Sequence, residues 1–132
     1  MIGFDTNVLL RALLEDDEDQ SPVAQRSLSA LTESRQGFIS VGVQLELYWV
    51  FDRRYRMSRD EIASTFDALL EVSSLVFENM EALVRALHLY RTEVVDFSDA
   101  IIAECNATAG CEATLTFDRK AAQSVPGMDL LS

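Results

Sequence analysis

Most acids in this chain sit among other polar residues, but four do not. Asp5 stands between IGF and an apolar helical run, and Glu46 is the only charge in VGVQLELYWVF. Asp99 opens the run AIIAECNATAG, and Asp118 ends the apolar stretch ATLTF. A bare charge is costly to bury, so a carboxylate in such surroundings must be paired, hydrogen-bonded, protonated or metal-bound. Each has a structural alternative. Asp5, Asp99 and Asp118 fall where helices begin and can serve as caps or first-turn acids; Glu46 can be an exposed helix position. Gathered in one crevice, such acids would repel one another without a cation. A hard divalent ion suits oxygen ligands and keeps positions open for water and phosphate oxygens. It lowers the pKa of a bound water and neutralises charge on a phosphoryl group, which is the chemistry of phosphodiester hydrolysis and needs no His or Cys.

The elements that must position these acids follow from periodicity and caps. Ile2–Phe4 reads as a first strand, with a helix from about Thr6 to Leu14. Ser21-Pro22 opens a second helix that reaches about Arg35, and Gly37 leads into the strand Phe38–Val41. A third helix covers Val43 to Tyr55. Ser58 to Glu61 forms a capping box before the stripe Ile62, Phe66, Leu69 and Leu70. Leu75–Phe77 is a short strand, and Asn79 caps a helix carrying Leu83, Leu87 and Tyr90. Ser98 caps the next helix, Asp99 to about Ala109, which Gly110 ends in the left-handed conformation. Ala113–Phe117 is a strand, Asp118–Ser124 a short helix, Pro126-Gly127 a turn and Asp129–Leu131 an edge strand. Strands alternating with helices predict an α/β fold, a single three-layer α/β/α domain over residues 1–132. Its central sheet is expected to be mainly parallel, with four to five strands. In such sheets ligands bind beyond the carboxyl ends of the strands, where Asp5 and Asp118 fall and which Glu46 follows by about one helical turn.

Composition narrows the function classes. The 132 residues are 48% hydrophobic and 25% charged, an ordinary globular balance with no apolar stretch long enough for a membrane span. MIGFDTNVLLR lacks the basic region of a signal peptide, so a cytoplasmic protein is expected. Eleven basic residues against twenty-two acidic ones give a net charge of −11, opposite to a protein that binds nucleic acid by a broad basic face. Any nucleic-acid function must use a local site, a bound cation or a few arginines. Cys105, Cys111 and the single His88 match no redox or zinc spacing, and two buried structural cysteines are expected.

DTNVLLR after the first strand, Glu46 in the third helix, VDFSDAIIA and TLTFDRKA resemble, in order and over nearly the whole chain, the PIN-domain ribonucleases. Within that family the chain looks most like the VapC-type toxins of bacterial toxin–antitoxin pairs. The resemblance implies a Mg²⁺- or Mn²⁺-dependent endoribonuclease with an acidic quartet at Asp5, Glu46, Asp99 and Asp118. Asp5 and Asp99 are then the direct metal ligands, with Glu46 and Asp118 binding the metal, a second ion or the attacking water. Asn7 and Thr116 match polar positions that line the family's site. Asp96 is an extra acid, either a supporting or alternative ligand or an exposed loop acid. A homodimer is implied, as is a VapB-type antitoxin that wraps the toxin and reaches its acids, with structured RNA as substrate.

Arg11, Arg119 and Lys120 flank the acidic motifs and are candidates for RNA contact. Arg53, Arg54, Arg56 and Arg59 cluster where the third helix ends, as helix-end compensation and solvated surface or as further contacts. Tyr48, Trp49 and Phe51 read as core packing rather than a stacking platform. The run Glu15–Asp19 reads as a solvated loop or, less simply, a patch for a cation or basic partner. Two other readings stand beside the toxin: a PIN-like RNA-processing nuclease without an antitoxin, and a catalytically silent α/β binding module.

Overall fold

The computed structural model describes residues 1–131. The chain forms two compact units, Met1–Met57 with Ser64–Glu78, and Ser58–Ala63 with Asn79–Ser132. Five strands are found among the described residues, and every pairing between them is parallel, as the alternation of strands and helices predicts. They hydrogen-bond as a group of three in the first unit and a group of two in the second. No helix among the described residues is long and apolar enough to cross a membrane.

In the first unit β1 (Ile2–Gly3), β2 (Gly37–Ile39) and β3 (Leu75–Phe77) pair in that order. α1 (Thr6–Leu14) and α2 (Gln20–Ser29) connect β1 to β2. α3 (Val41–Trp49), a π-helical turn over Val50–Arg54, and α4 (Arg59–Leu70) lead from β2 to β3. The core gathers Leu9, Ile39, Leu47, Phe51 and Phe66, with Phe51 edge-on to Phe66 at 6.0 Å. Gly37 is required by close approach: a Cβ there would stand 2.7 Å from the Phe4 ring and 2.9 Å from Leu31 Cδ1.

Several boundaries differ from those the sequence predicts. β2 stops at Ile39 because Ser40 caps α3, its hydroxyl accepting from the Val43 amide at 3.2 Å. The Glu78 carboxylate accepts from the Val41 amide at 2.8 Å, closing the same helix start. α2 begins before Ser21, which is buried inside it, and the Asp17 carboxylate accepts from the amides of Asp19 (3.0 Å) and Gln20 (2.7 Å). That helix ends at Ser29, and Thr32 and Arg35 close a tight turn instead. The third helix is regular only to Trp49, after which it widens into the π-helical turn.

The acidic run is a solvent-exposed loop, as predicted, and its carboxylates take hydrogen bonds from both sides. Asp16 takes an ion pair from Arg11 and a hydrogen bond from the Tyr55 hydroxyl, both at 3.0 Å. Glu15, in the left-handed conformation, accepts from Gln25 Nε2 at 2.9 Å.

In the second unit, α5 (Met80–Thr92) packs on α6 (Phe97–Thr108), burying Leu83, Ala86, Leu87 and Tyr90 from one and Phe97, Ala100 and Ile101 from the other. Arg85 and Glu104 pair at 2.6 Å across these helices. β4 (Thr114–Thr116) and β5 (Met128–Leu130) flank α7 (Arg119–Ser124). The capping box forms as predicted: the Ser58 amide donates to Glu61 at 3.0 Å and the Glu61 amide to the Ser58 hydroxyl at 3.1 Å. Asn79 occupies the N-cap position of α5 in the left-handed conformation, but its side chain turns to Cys105 Sγ at 3.6 Å instead of capping. The cysteines are not buried as predicted. Cys105 is half-exposed and Cys111 exposed, because Cys111 follows the left-handed Gly110 into a surface turn.

Candidate active site

In the first unit, β1 delivers Asp5 to the N-cap position of α1 with extended backbone, yet its carboxylate makes no capping bond. The first amides of the helix reach the Asp5 carbonyl instead, from Val8 at 3.1 Å and Leu9 at 3.4 Å. Glu46 lies on α3, whose opposite face buries Val43, Gln44, Leu47 and Tyr48. The apolar surroundings of both acids in sequence thus reflect neighbours that turn to the core, and both carboxylates are exposed. Thr6, next to Asp5 and itself buried, donates its hydroxyl to Glu46 Oε1 at 3.1 Å, linking the two acidic segments across 40 residues. Asn7 is exposed, and with Arg11 it lines an open cleft of about 350 Å³ walled by Val8, Gln20, Val23 and Ala24. The Arg11 guanidinium is held by Asp16 and by Gln20 at 2.9 Å.

In the second unit, Asp96 rather than Ser98 is the N-cap of α6, its carboxylate accepting from the Asp99 amide at 3.0 Å. Asp99 follows in the first turn, half-buried. Its carboxyl is pushed above the ordinary carboxylate range by burial first, and then by the like charges of Asp96 and Asp118. Asp118 caps α7 through the Ala121 amide at 3.0 Å, and its own amide donates to Thr116 Oγ1 at 3.0 Å. Arg119 and Lys120 are exposed in the first turn of α7.

The donor chemistry fits a hard divalent cation: the residues are carboxylates with adjoining hydroxyls, and Asp99 stands among like charges that a cation would offset. Among the described residues, no three His, Cys, Asp or Glu side chains are grouped closely enough to form a ligand cage on their own. The predicted carboxylates divide between the units: Asp5 and Glu46 belong to the first, and Asp96, Asp99 and Asp118 to the second.

Several positions carry more than their sequence context signalled. Thr6 is the hydroxyl inside DTN, adjacent to an acid already singled out. Gln44 is as isolated among apolar residues as Glu46; its buried amide donates to the carbonyls of Ile39 (3.2 Å) and Glu78 (2.9 Å), while Oε1 has no partner. The arginine cluster divides by role. Arg53 lies 4.0 Å over the Trp49 ring and Arg54 5.6 Å over Tyr55, whereas Arg59 reaches three backbone carbonyls near the end of α5.

Parallel strands that hand over to helices at acidic residues define the class as an α/β protein. The chain belongs to the PIN domain family, whose model matches residues 2–125, and PIN domains are in general nucleases that use divalent metal ions. Among solved structures, a toxin-antitoxin complex from Klebsiella pneumoniae is 22% identical, with 97% of this chain and 95% of that one covered and a TM-score of 0.38. A likeness that loose says nothing of what this chain binds. No curated protein matches it.

Proposed function

We propose that this protein is a divalent-metal-dependent endoribonuclease that hydrolyses RNA phosphodiester bonds and acts as the toxin of a type II toxin–antitoxin pair. Residues 1–132 then serve as one nuclease domain. The observation that carries the nuclease reading is the link between Asp5 and Glu46: an acid at an N-cap position makes no capping bond, and its neighbour Thr6 holds the second acid. Membership of the PIN family supports the same reaction class. Asp5 and Asp99 are the direct ligands of Mg²⁺ or Mn²⁺; Glu46 and Asp118 complete the ligand set or orient the attacking water, with Asp96 in support. A bound divalent ion supplies acidity to a water molecule and offsets charge on the phosphoryl oxygens. Thr6 keeps the Glu46 carboxylate in one orientation, and Thr116 steadies the backbone that presents Asp118. Asn7 lines the site, and Arg11, Arg119 and Lys120 meet the RNA backbone at its rim.

The toxin assignment rests on the ordered set of motifs shared with VapC-type toxins. It carries with it a VapB-type antitoxin, a homodimer and a cytoplasmic location. The test is RNA cleavage by the antitoxin-free protein in Mn²⁺, with EDTA and Asp5→Asn alongside. Cleavage that both abolish is expected; a folded Asp5→Asn variant that cleaves like the wild type refutes the site. A neighbouring reading frame encoding a small protein with a basic DNA-binding N-terminus distinguishes the toxin from an RNA-processing nuclease.

A further inference from the structure

Arg59 occupies the first position of α4, where the helix dipole disfavours a cation. Its place is explained by the far end of α5. The guanidinium nitrogen Nη2 donates to the carbonyls of Tyr90 (2.6 Å), Glu93 (3.1 Å) and Val95 (2.9 Å). These carbonyls belong to the last turn of α5 and to the connector that follows it, where helical hydrogen bonding has ended and a cation is favoured. The guanidinium also lies over the Tyr90 ring at 3.9 Å, and Tyr90 meets Phe97, the first residue of α6, edge-on at 5.8 Å. Arg59, Tyr90 and Phe97 therefore form one stack, and the arginine that caps the stack also closes the connector Glu93–Val95.

What that connector delivers is the acidic turn. Val95 and Phe97 are buried, so Asp96 is held between two anchored residues. The Asp96 carboxylate accepts from the Asp99 amide and its carbonyl from the Ala100 amide, both at 3.0 Å. The direction of the Asp99 side chain thus depends on the cap, the cap on the connector, and the connector on Arg59.

We propose that Arg59 is a positioning residue for Asp99: it fixes the Glu93–Val95 connector, and through it the first turn of α6, so that Asp99 is presented ready to bind a divalent cation. The anchoring stands on geometry alone, whereas the metal role rests on the nuclease reading above. Lysine replaces Arg59 only in part, because an ammonium lacks the planar surface that stacks on Tyr90 while the same group donates to three carbonyls.

The test compares wild type, Arg59→Met and Arg59→Lys by hydrogen exchange of the amides of Val95 to Ala100 and by calorimetric titration with Mn²⁺ alone, with thermal melts to confirm folding. In Arg59→Met the Asp99 and Ala100 amides should exchange at least about tenfold faster, as the cap that holds them loosens. Mn²⁺ should bind about ten- to a hundredfold more weakly, the usual loss when a support behind a ligand is removed. Arg59→Lys should recover part of both losses, and amides in β4 and β5 should be unchanged. If Arg59→Met does not fold, Arg59→Lys carries the comparison, with smaller losses of the same pattern. A folded variant with wild-type exchange at Asp99 and Ala100 overturns the anchoring. Faster exchange with unchanged Mn²⁺ affinity overturns the positioning role. A wild-type protein with no affinity for Mn²⁺ overturns the nuclease reading together with the metal role, while exchange still decides the anchoring.

Discussion

Thr6→Val tests whether the hydrogen bond to Glu46 matters for catalysis or only for packing. Valine keeps the branched shape of this buried residue and removes the hydroxyl that donates to Glu46 Oε1 at 3.1 Å. A hydrogen bond to a charged acceptor contributes about 1.5–3 kcal/mol when both groups are dry. Glu46 is exposed, so water takes over its oxygen and the net loss falls to about 1 kcal/mol. The added methyl, buried at this position, returns up to about 0.8 kcal/mol. The expected change in stability is thus below about 1 kcal/mol, a shift in Tm of less than about 5 °C. Catalysis should respond far more. A carboxylate free to swing away from its working orientation should slow cleavage by about ten- to a hundredfold, or about 1.4–2.7 kcal/mol in the barrier. The assay is single-turnover RNA cleavage in Mn²⁺ by Thr6→Val, Glu46→Gln and the double variant. If Thr6 acts through Glu46, the double variant is no slower than Glu46→Gln alone. Thr6→Val cleaving at the wild-type rate, or two losses that multiply in the double variant, refutes the reasoning.

Two further predictions concern caps and charge. Ser98 Oγ is buried without a partner, so Ser98→Ala should leave stability unchanged or raise it by as much as about 1 kcal/mol. Asp96→Ala should lower it by about 0.5–1 kcal/mol, the lost cap being partly offset by removal of a charge beside Asp99; denaturant midpoints check both, and the reverse order would return the cap to Ser98. On the acid side, the Tyr55 hydroxyl, and then Arg11, hold the Asp16 carboxyl below its ordinary value of 3.8. Folded Asp16 therefore binds fewer protons than unfolded Asp16, so its stabilisation is complete above pH 3.8 and lost as the pH falls through the lower folded value. Thermal melts from about pH 2 to 6 should show wild type and Tyr55→Phe converging at the acid end, and curves that stay parallel would show that the hydroxyl does not act through Asp16.

The sequence by itself determined the alternation of strands and helices, the capping box at Ser58 and Glu61, the left-handed end at Gly110 and the acids that begin helices. These are legible because each depends on contacts within a few residues: a hydrophobic period, a hydroxyl three residues from an amide, a glycine free to take positive φ. Element boundaries slipped where a distant group intervened. Glu78 closes the start of α3 from 37 residues away. The apolar context of Asp5 and Glu46 pointed to buried charges, but a linear string does not say which way a side chain faces. Their neighbours turn inward and the acids outward. Only the tertiary structure set Thr6 against Glu46 and separated Arg59 from its neighbours in the arginine cluster. The physical reason is the same in both cases. A hydrogen bond between groups 40 residues apart, or a guanidinium meeting carbonyls 31 to 36 residues further along, depends on how the chain closes on itself. That closure is set by packing of the whole core, and no local pattern encodes it.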